Sequence, residues 1–313
     1  MLRSAEDLQG LPVRQHEHVP ACAPEFLSVS AGLQFSIAGR RHSALGFGCS
    51  RRAERARHSA LWETYERLLM VAELSGSLGR PVQGHDKDGT PTATRAFEHV
   101  VARPWHDTYR PGQDATGLAV HTTASAAQRA AERELLERAL LAAIWYGSAP
   151  LHSEVTEHPC VTTGRLRTYS FPCRLGFFCL AAWHDPHSQI FVTGSAVRDS
   201  LHDAIEHALG EAVMVFDGVW QGKTPRYSTQ ASRDRYASLR GDLHAARAEH
   251  VESRLTAQGD DAGAPSDAYG DSLAFYRLID WEGVCLVRAV ADRRETTSTI
   301  RARNWGLPPD PFT

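Results

Sequence analysis

The sequence predicts a single α+β domain with mixed or antiparallel sheets, its helices packed around a central cleft. Three observations carry that expectation. Two alanine-rich helical segments share a Glu-x-x-Glu-Arg pattern, and a block of aromatic and apolar segments between residues 160 and 195 reads as strands. No clean linker divides the 313 residues, although length alone admits roughly two domains. One unit spanning 1–313 is expected, closing in a short proline-rich tail at 307–313.

Leu11-Pro12-Val13 and Phe26–Ala38 read as short strands, and Gly46-Phe47-Gly48 as a turn. Ser50 is placed to cap a helix running to about Leu74, ended by Gly76 and Gly79. Residues 77–114 are rich in Gly, Pro, Asp and Thr and read as loop, with one strand near Phe97–Val101. A second helix is expected from about Ser125 to Trp145, stopping before Gly147 and Pro150. Thr168–Pro172, Gly176–Trp183 and Gln189–Val192 follow as strands, then a third helix from about Ser200 to Phe216. From Gln221 to Ser272 the polar, arginine-rich chain suggests one surface helix between loops. A late strand at Gly283–Ala289 leads into the prolines.

Composition narrows the function. A formal net charge of -3 argues against a protein held on nucleic acid by bulk charge. No apolar run approaches the roughly 20 residues of a membrane-spanning helix, and the N-terminus lacks the apolar stretch of a signal peptide. A soluble, cytoplasmic protein is expected. Lys87 and Lys223 are the only lysines, so phosphate would have to be met by arginine. The six cysteines form no Cys-x-x-Cys pair and read as buried free thiols. The pair His184 and His187 lacks the partners a zinc site needs.

The first two helices repeat one pattern. Glu63-Thr64-Tyr65-Glu66-Arg67 and Glu134-Leu135-Leu136-Glu137-Arg138 are offset by 134 minus 63, or 71 residues. Glutamates three apart share a helix face, which costs a few tenths of a kcal/mol unless a cation lies between them. Four such carboxylates meeting in one cleft would require a divalent metal, and an all-oxygen set suits Mg²⁺. Glutamates on solvated helix faces remain the alternative.

Taken in order, three motifs resemble the signatures of the YcaO family over roughly residues 10–310. The first is Leu11-Pro12-Val13, Gly46-Phe47-Gly48, Ala53 and the run Ser59–Arg67; the second is Gly117-Leu118-Ala119, Glu134–Arg138 and Trp145. The third is Gly194-Ser195-Ala196, Asp199, Ala204 and Ala208–Ala212. The resemblance implies a YcaO-like fold and an enzyme that binds ATP and Mg²⁺ and activates backbone amides of a ribosomally made precursor peptide. With Cys, Ser or Thr side chains as nucleophile the product is a thiazoline or oxazoline. External sulfide gives a thioamide and an amine an amidine.

On that mapping Glu63, Glu66, Glu134 and Glu137 are the metal carboxylates, with Glu211 beside them on the cofactor. Arg138 faces nucleotide phosphate, and Arg67 is either a nucleotide contact or a structural ion-pair partner. The tail residues Pro309, Pro311 and Thr313 resemble a shortened catalytic terminus, its chain end a candidate general base. The signatures fill the chain, so a separate leader-peptide-binding partner protein is expected, with homo- or hetero-oligomers left open.

Several family positions differ. Phe47 stands for a lysine, Thr122 (after His121) for an asparagine, Ala126 or Ala127 for an acid, His207 for an arginine and Met214 for a glutamine. Either other arginines, such as Arg41, Arg51 or Arg198, take over the phosphates, or the chain is a non-catalytic subunit of a modification complex.

Overall fold

The computed structural model describes residues 4–37, 39–76, 80–100, 117–146, 153–222, 239–256 and 273–291. Its elements run α1 (Ala5–Gln9), β1 (Arg14–His18), β2 (Leu27–Ile37), β3 (Arg40–Ser50), α2 (Ala53–Gly76), β4 (Pro81–His85), β5 (Pro91–Ala96) and α3 (Phe97–Val100). They continue with β6 (Leu118–His121), α4 (Ala124–Tyr146), β7 (Glu154–His158), β8 (Arg165–Cys173), β9 (Gly176–Asp185), β10 (Ile190–Arg198) and α5 (Leu201–Trp220). α6 (His244–Leu255), β11 (Leu273–Trp281) and β12 (Val284–Ala291) close the series.

The strands form three antiparallel sheets, ordered β1-β2-β3, β10-β9-β8-β7 and β5-β4-β11-β12-β6. Each long helix covers one of them. Helix α2 lays Ala56 and Ala60 on Val29 and Ala31 of the first sheet. Helix α5 is held at its start by Ser200, whose Oγ accepts the Asp203 N–H at 3.1 Å. It presses Phe216 flat against Trp183 of β9, with ring centroids 3.8 Å apart. Helix α4 lays Leu135, Leu140 and Ile144 over Val287 and Ala289 of β12. The other face of β12 turns Val284 and Leu286 toward Leu68 and Leu69 of α2. Strand β12 is thus covered on both faces, and α2 and α4 face each other across it.

The α+β class holds, and three local expectations are corrected. Gly46-Phe47-Gly48 is the interior of β3, not a turn. A Cβ at Gly46 would lie 2.1 Å from the Ala60 carbonyl oxygen, and one at Gly48 2.1 Å from that of Ala56. The glycines are there because helix backbone rests on strand backbone. Phe97–Val100 is a helical turn following β5 rather than a strand. Leu11–Val13 forms a tight turn, with the Val13 N–H donating to the Leu11 carbonyl at 2.8 Å. The unforeseen β1 and β7 are polar edge strands, exposed at four of five positions each. They carry none of the apolar alternation that marks a strand in sequence.

Candidate active site

The site begins where strands β3 and β10 meet the helices that follow them. Glu63 of α2 accepts the Phe47 N–H on Oε2 at 2.6 Å, and its Oε1 pairs with Arg67. Glu211 of α5 accepts the Ser195 N–H on Oε2 at 2.7 Å. Both strands hold a glycine just before that N–H, because helix backbone sits on it. At Gly194 a Cβ would lie 2.3 Å from the Ala208 carbonyl oxygen. The differences 194 minus 46, 195 minus 47 and 211 minus 63 all equal 148, so the chain builds one strand–helix clamp twice.

Helix α4 stands between the clamps and gives a carboxylate to each. Glu137, only 7% exposed, accepts the Ser195 hydroxyl at 2.7 Å, so Ser195 holds Glu211 through its backbone and Glu137 through its side chain. Burial pushes the Glu137 carboxyl above its ordinary range. Arg138 opposes this, Glu211 adds to it, and Arg198 and the Ser195 hydroxyl pull it back. Glu66 is driven well above the usual range, first by burial and then by the charges of Glu134 and Glu63, against Arg67 and Arg288. The five glutamates therefore fall into two groups, Glu63–Glu66–Glu134 and Glu137–Glu211, joined by one turn of α4. Among the described residues no three His, Cys, Asp or Glu side chains stand close enough to share one ion. Magnesium does not need three, since it usually takes one or two carboxylates and completes its shell with water and phosphate.

Ser195→Ala tests the second clamp. Leaving the buried Glu137 carboxyl without its hydroxyl donor should lower stability by about 1–2 kcal/mol, read as a shifted urea midpoint with an unchanged slope.

Cations gather beside Glu137 and Glu211. Arg198, at the end of β10, donates to the Val197 carbonyl at 2.7 Å. Burial lowers its pKa, with Glu137 and Glu211 opposing and Arg133 and Arg55 reinforcing the drop. Arg55 of α2 bonds Asp203 at 2.9 Å, and Arg133 of α4 pairs with Asp199. Of the three arginines expected to compensate, Arg198 stands here. Arg51 is engaged with Glu206 and Glu25 and lies over the Phe26 ring at 4.7 Å, and Arg41 is exposed on β3. Arg55 and Arg133 went unread in the sequence, because what marks them is their meeting in space. The 17-residue spacing from Gly46 to Glu63 and from Gly194 to Glu211 was the available signal for the doubled clamp.

The altered positions also have local partners. His121 stacks on Trp62 at 6.3 Å, and the Trp62 indole N–H meets His58 Nε2 at 2.7 Å. Burial, then His58 and Arg129, lower the His121 pKa. Pro309, Pro311 and Thr313 lie outside the described residues. A polar cavity of about 740 Å³, lined by Arg80, His85, Lys87, Gln128 and Arg277 among others, includes none of the site carboxylates.

No family model matches the chain, and no curated protein matches it. Solved structures do. The chain is similar to YcaO from Methanopyrus kandleri bound with AMPPCP and Mg²⁺, at 14% identity, with 95% of this chain and 90% of that one covered and a TM-score of 0.62. It is similar to a chain of the E. coli microcin synthetase McbBCD complex at 13% identity, covering 83% and 87%, with a TM-score of 0.57. It also resembles a heterocyclase in complex with substrate and cofactor at 14% identity, covering 93% of this chain and 51% of that one, with a TM-score of 0.58. High mutual coverage at such low identity shows that the chain has a YcaO-like fold.

Proposed function

We propose that this chain is an ATP- and Mg²⁺-dependent enzyme that activates backbone amides of a ribosomally made precursor peptide, forming thiazolines or oxazolines from Cys, Ser or Thr. The carrying observation is the pairing of two carboxylate groups with a cluster of buried or half-buried arginines. It occurs in a fold shared with a YcaO bound to AMPPCP and Mg²⁺ and with a heterocyclase. The residues fit such ligands. Buried carboxylates that repel one another are stabilised by a divalent ion, and arginines fit phosphate oxygens.

Bound ATP supplies, with magnesium, the phosphoryl group that carries the amide oxygen away. The chain's own part is to place and neutralise charge. Glu66 and Glu134 would hold the metal, and Glu137 would face it from the second carboxylate group. Glu63 and Glu211, each fixed by a strand N–H, would keep the helices in register around it. Arg198, Arg55 and Arg138 would face the phosphates. The substrate thiol or hydroxyl adds to the preceding amide carbon, and the amide oxygen takes the phosphoryl group and leaves as phosphate. The net loss is one water. The peptide leader would be captured by a separate partner protein, strand addition to a sheet edge being one means of such capture.

Incubation with ATP, Mg²⁺, partner and precursor should yield a mass loss of about 18 daltons per ring together with released phosphate. Intact precursor and no ATP consumption under every partner combination would overturn this assignment. A mass change only with added sulfide would instead favour thioamide formation.

One observation favours a second reading, a non-catalytic subunit. Both oxygens of Glu63 are already engaged, and Phe47 gives the site no cationic side chain. Calorimetry separates the two, because a scaffold binds no nucleotide.

A further inference from the structure

His207 lies on α5 between two guanidinium groups from other elements. Its Nδ1 is 3.4 Å from Arg55 Nη2 of α2, and since arginine only donates, Nδ1 is the acceptor and the ring proton sits on Nε2. Arg198 approaches from β10, and Asp203 of α5, itself bonded to Arg55 at 2.9 Å, supplies the opposing charge. Around Arg198 in turn stand Arg133 and Glu137 of α4 and Glu211 of α5. Burial, Arg198 and Arg55 together hold the ring neutral against Asp203.

We propose that His207 is the proton-taking member of an anion site shared with Arg55 and Arg198, so that entry of a polyphosphate draws one proton from solvent onto His207 Nδ1. This rests on the nucleotide reading above for the ligand's identity. The proton lands on the atom that now accepts from Arg55. That bond is replaced by repulsion, and the Arg55 Nη2 N–H is released toward the phosphate oxygens. In the free protein a charged His207 would be a third cation crowded against two arginines. Once anionic oxygens arrive, the same charge becomes favourable. Binding and protonation are then linked. Affinity is greatest at low pH and falls about tenfold per pH unit between the free and liganded pKa values of the ring, levelling off outside that window. A fixed arginine would lack this response, because it stays charged throughout.

The test is isothermal titration of AMPPCP with Mg²⁺, and separately of inorganic pyrophosphate with Mg²⁺, at pH 7 in two buffers of different ionisation enthalpy. The wild type should take up about half to one proton per anion beyond what the ligand itself exchanges. His207→Gln should bind with that excess uptake gone, and His207→Arg should bind with affinity level across pH. A melting curve for each variant establishes that it folds. Equal uptake in wild type and His207→Gln would overturn the inference while leaving nucleotide binding intact. Pyrophosphate-linked uptake without AMPPCP binding would support the anion site and sink the nucleotide reading. Failure of both ligands to bind would sink both.

Discussion

Alanine at Gly46 should destabilise the protein by about 3 kcal/mol, a substantial share of the roughly 5–15 kcal/mol that holds a domain together. The added methyl would meet the Ala60 carbonyl oxygen at 2.1 Å and the Thr64 backbone nitrogen at 2.4 Å. Both are helix backbone, so no side chain can rotate away, and β3 must lift from α2. Lifting breaks the 2.6 Å bond from the Phe47 N–H to Glu63 and loosens the Ala56–Ala60 contact with Val29 and Ala31. Gly194→Ala should act alike at the second clamp, meeting the Ala208 carbonyl oxygen at 2.3 Å and the Ala212 nitrogen at 2.4 Å. Gly10→Ala is the control, since its nearest neighbour would be 3.5 Å away, and it should stay within about 0.5 kcal/mol of wild type. Urea midpoints by circular dichroism decide it. Matching midpoints for Gly46→Ala and Gly10→Ala would mean that helix and strand do not rest on each other here.

The long helices were legible because each is far longer than its caps and is stopped by glycine or proline. The expected 125–145 segment differs from Ala124–Tyr146 by one residue at each end. Strands β8 to β10 were legible from their aromatic and β-branched content. What failed follows from ambiguity in single letters. Glycine signals a turn and a close backbone approach alike, and only the partner helix tells them apart at Gly46 and Gly48. Strand β11, Leu273–Trp281, is buried on both faces in alternate pairings and so shows neither a helical nor a twofold period. In the site, the 71-residue echo suggested one convergent group of four glutamates. The fold instead sets Glu134 toward Glu66 and Glu137 toward Glu211. Arg55 and Arg133 complete that arrangement from two different helices, and no local spacing announces them.

Glu66→Gln should stabilise the nucleotide-free protein at pH 7 while weakening binding of magnesium and AMPPCP by at least about 100-fold, near 2.7 kcal/mol at 25 °C. The sign of the first effect comes from proton linkage. Burial and the neighbouring Glu134 and Glu63 raise the Glu66 carboxyl above its ordinary 4.5, so the folded chain binds this proton more tightly than the unfolded one. Its contribution to stability is then fully present below pH 4.5 and is lost as pH rises through the folded value. Glutamine cannot titrate, so wild type and variant should diverge as pH climbs, reaching about 1–2 kcal/mol at neutrality. Glu137→Gln should tilt the pH profile the same way, with Ser195 still able to donate to the amide oxygen. The second effect follows because a divalent cation relieves the repulsion that the substitution has already removed. A carboxylate kept at a cost to the empty fold is one whose use lies in binding. Melting curves from pH 4.5 to 8, with and without magnesium and AMPPCP, read both halves together. A variant that melts earlier than wild type when empty, yet gains as much from the ligand, would assign Glu66 to holding the fold rather than to holding metal.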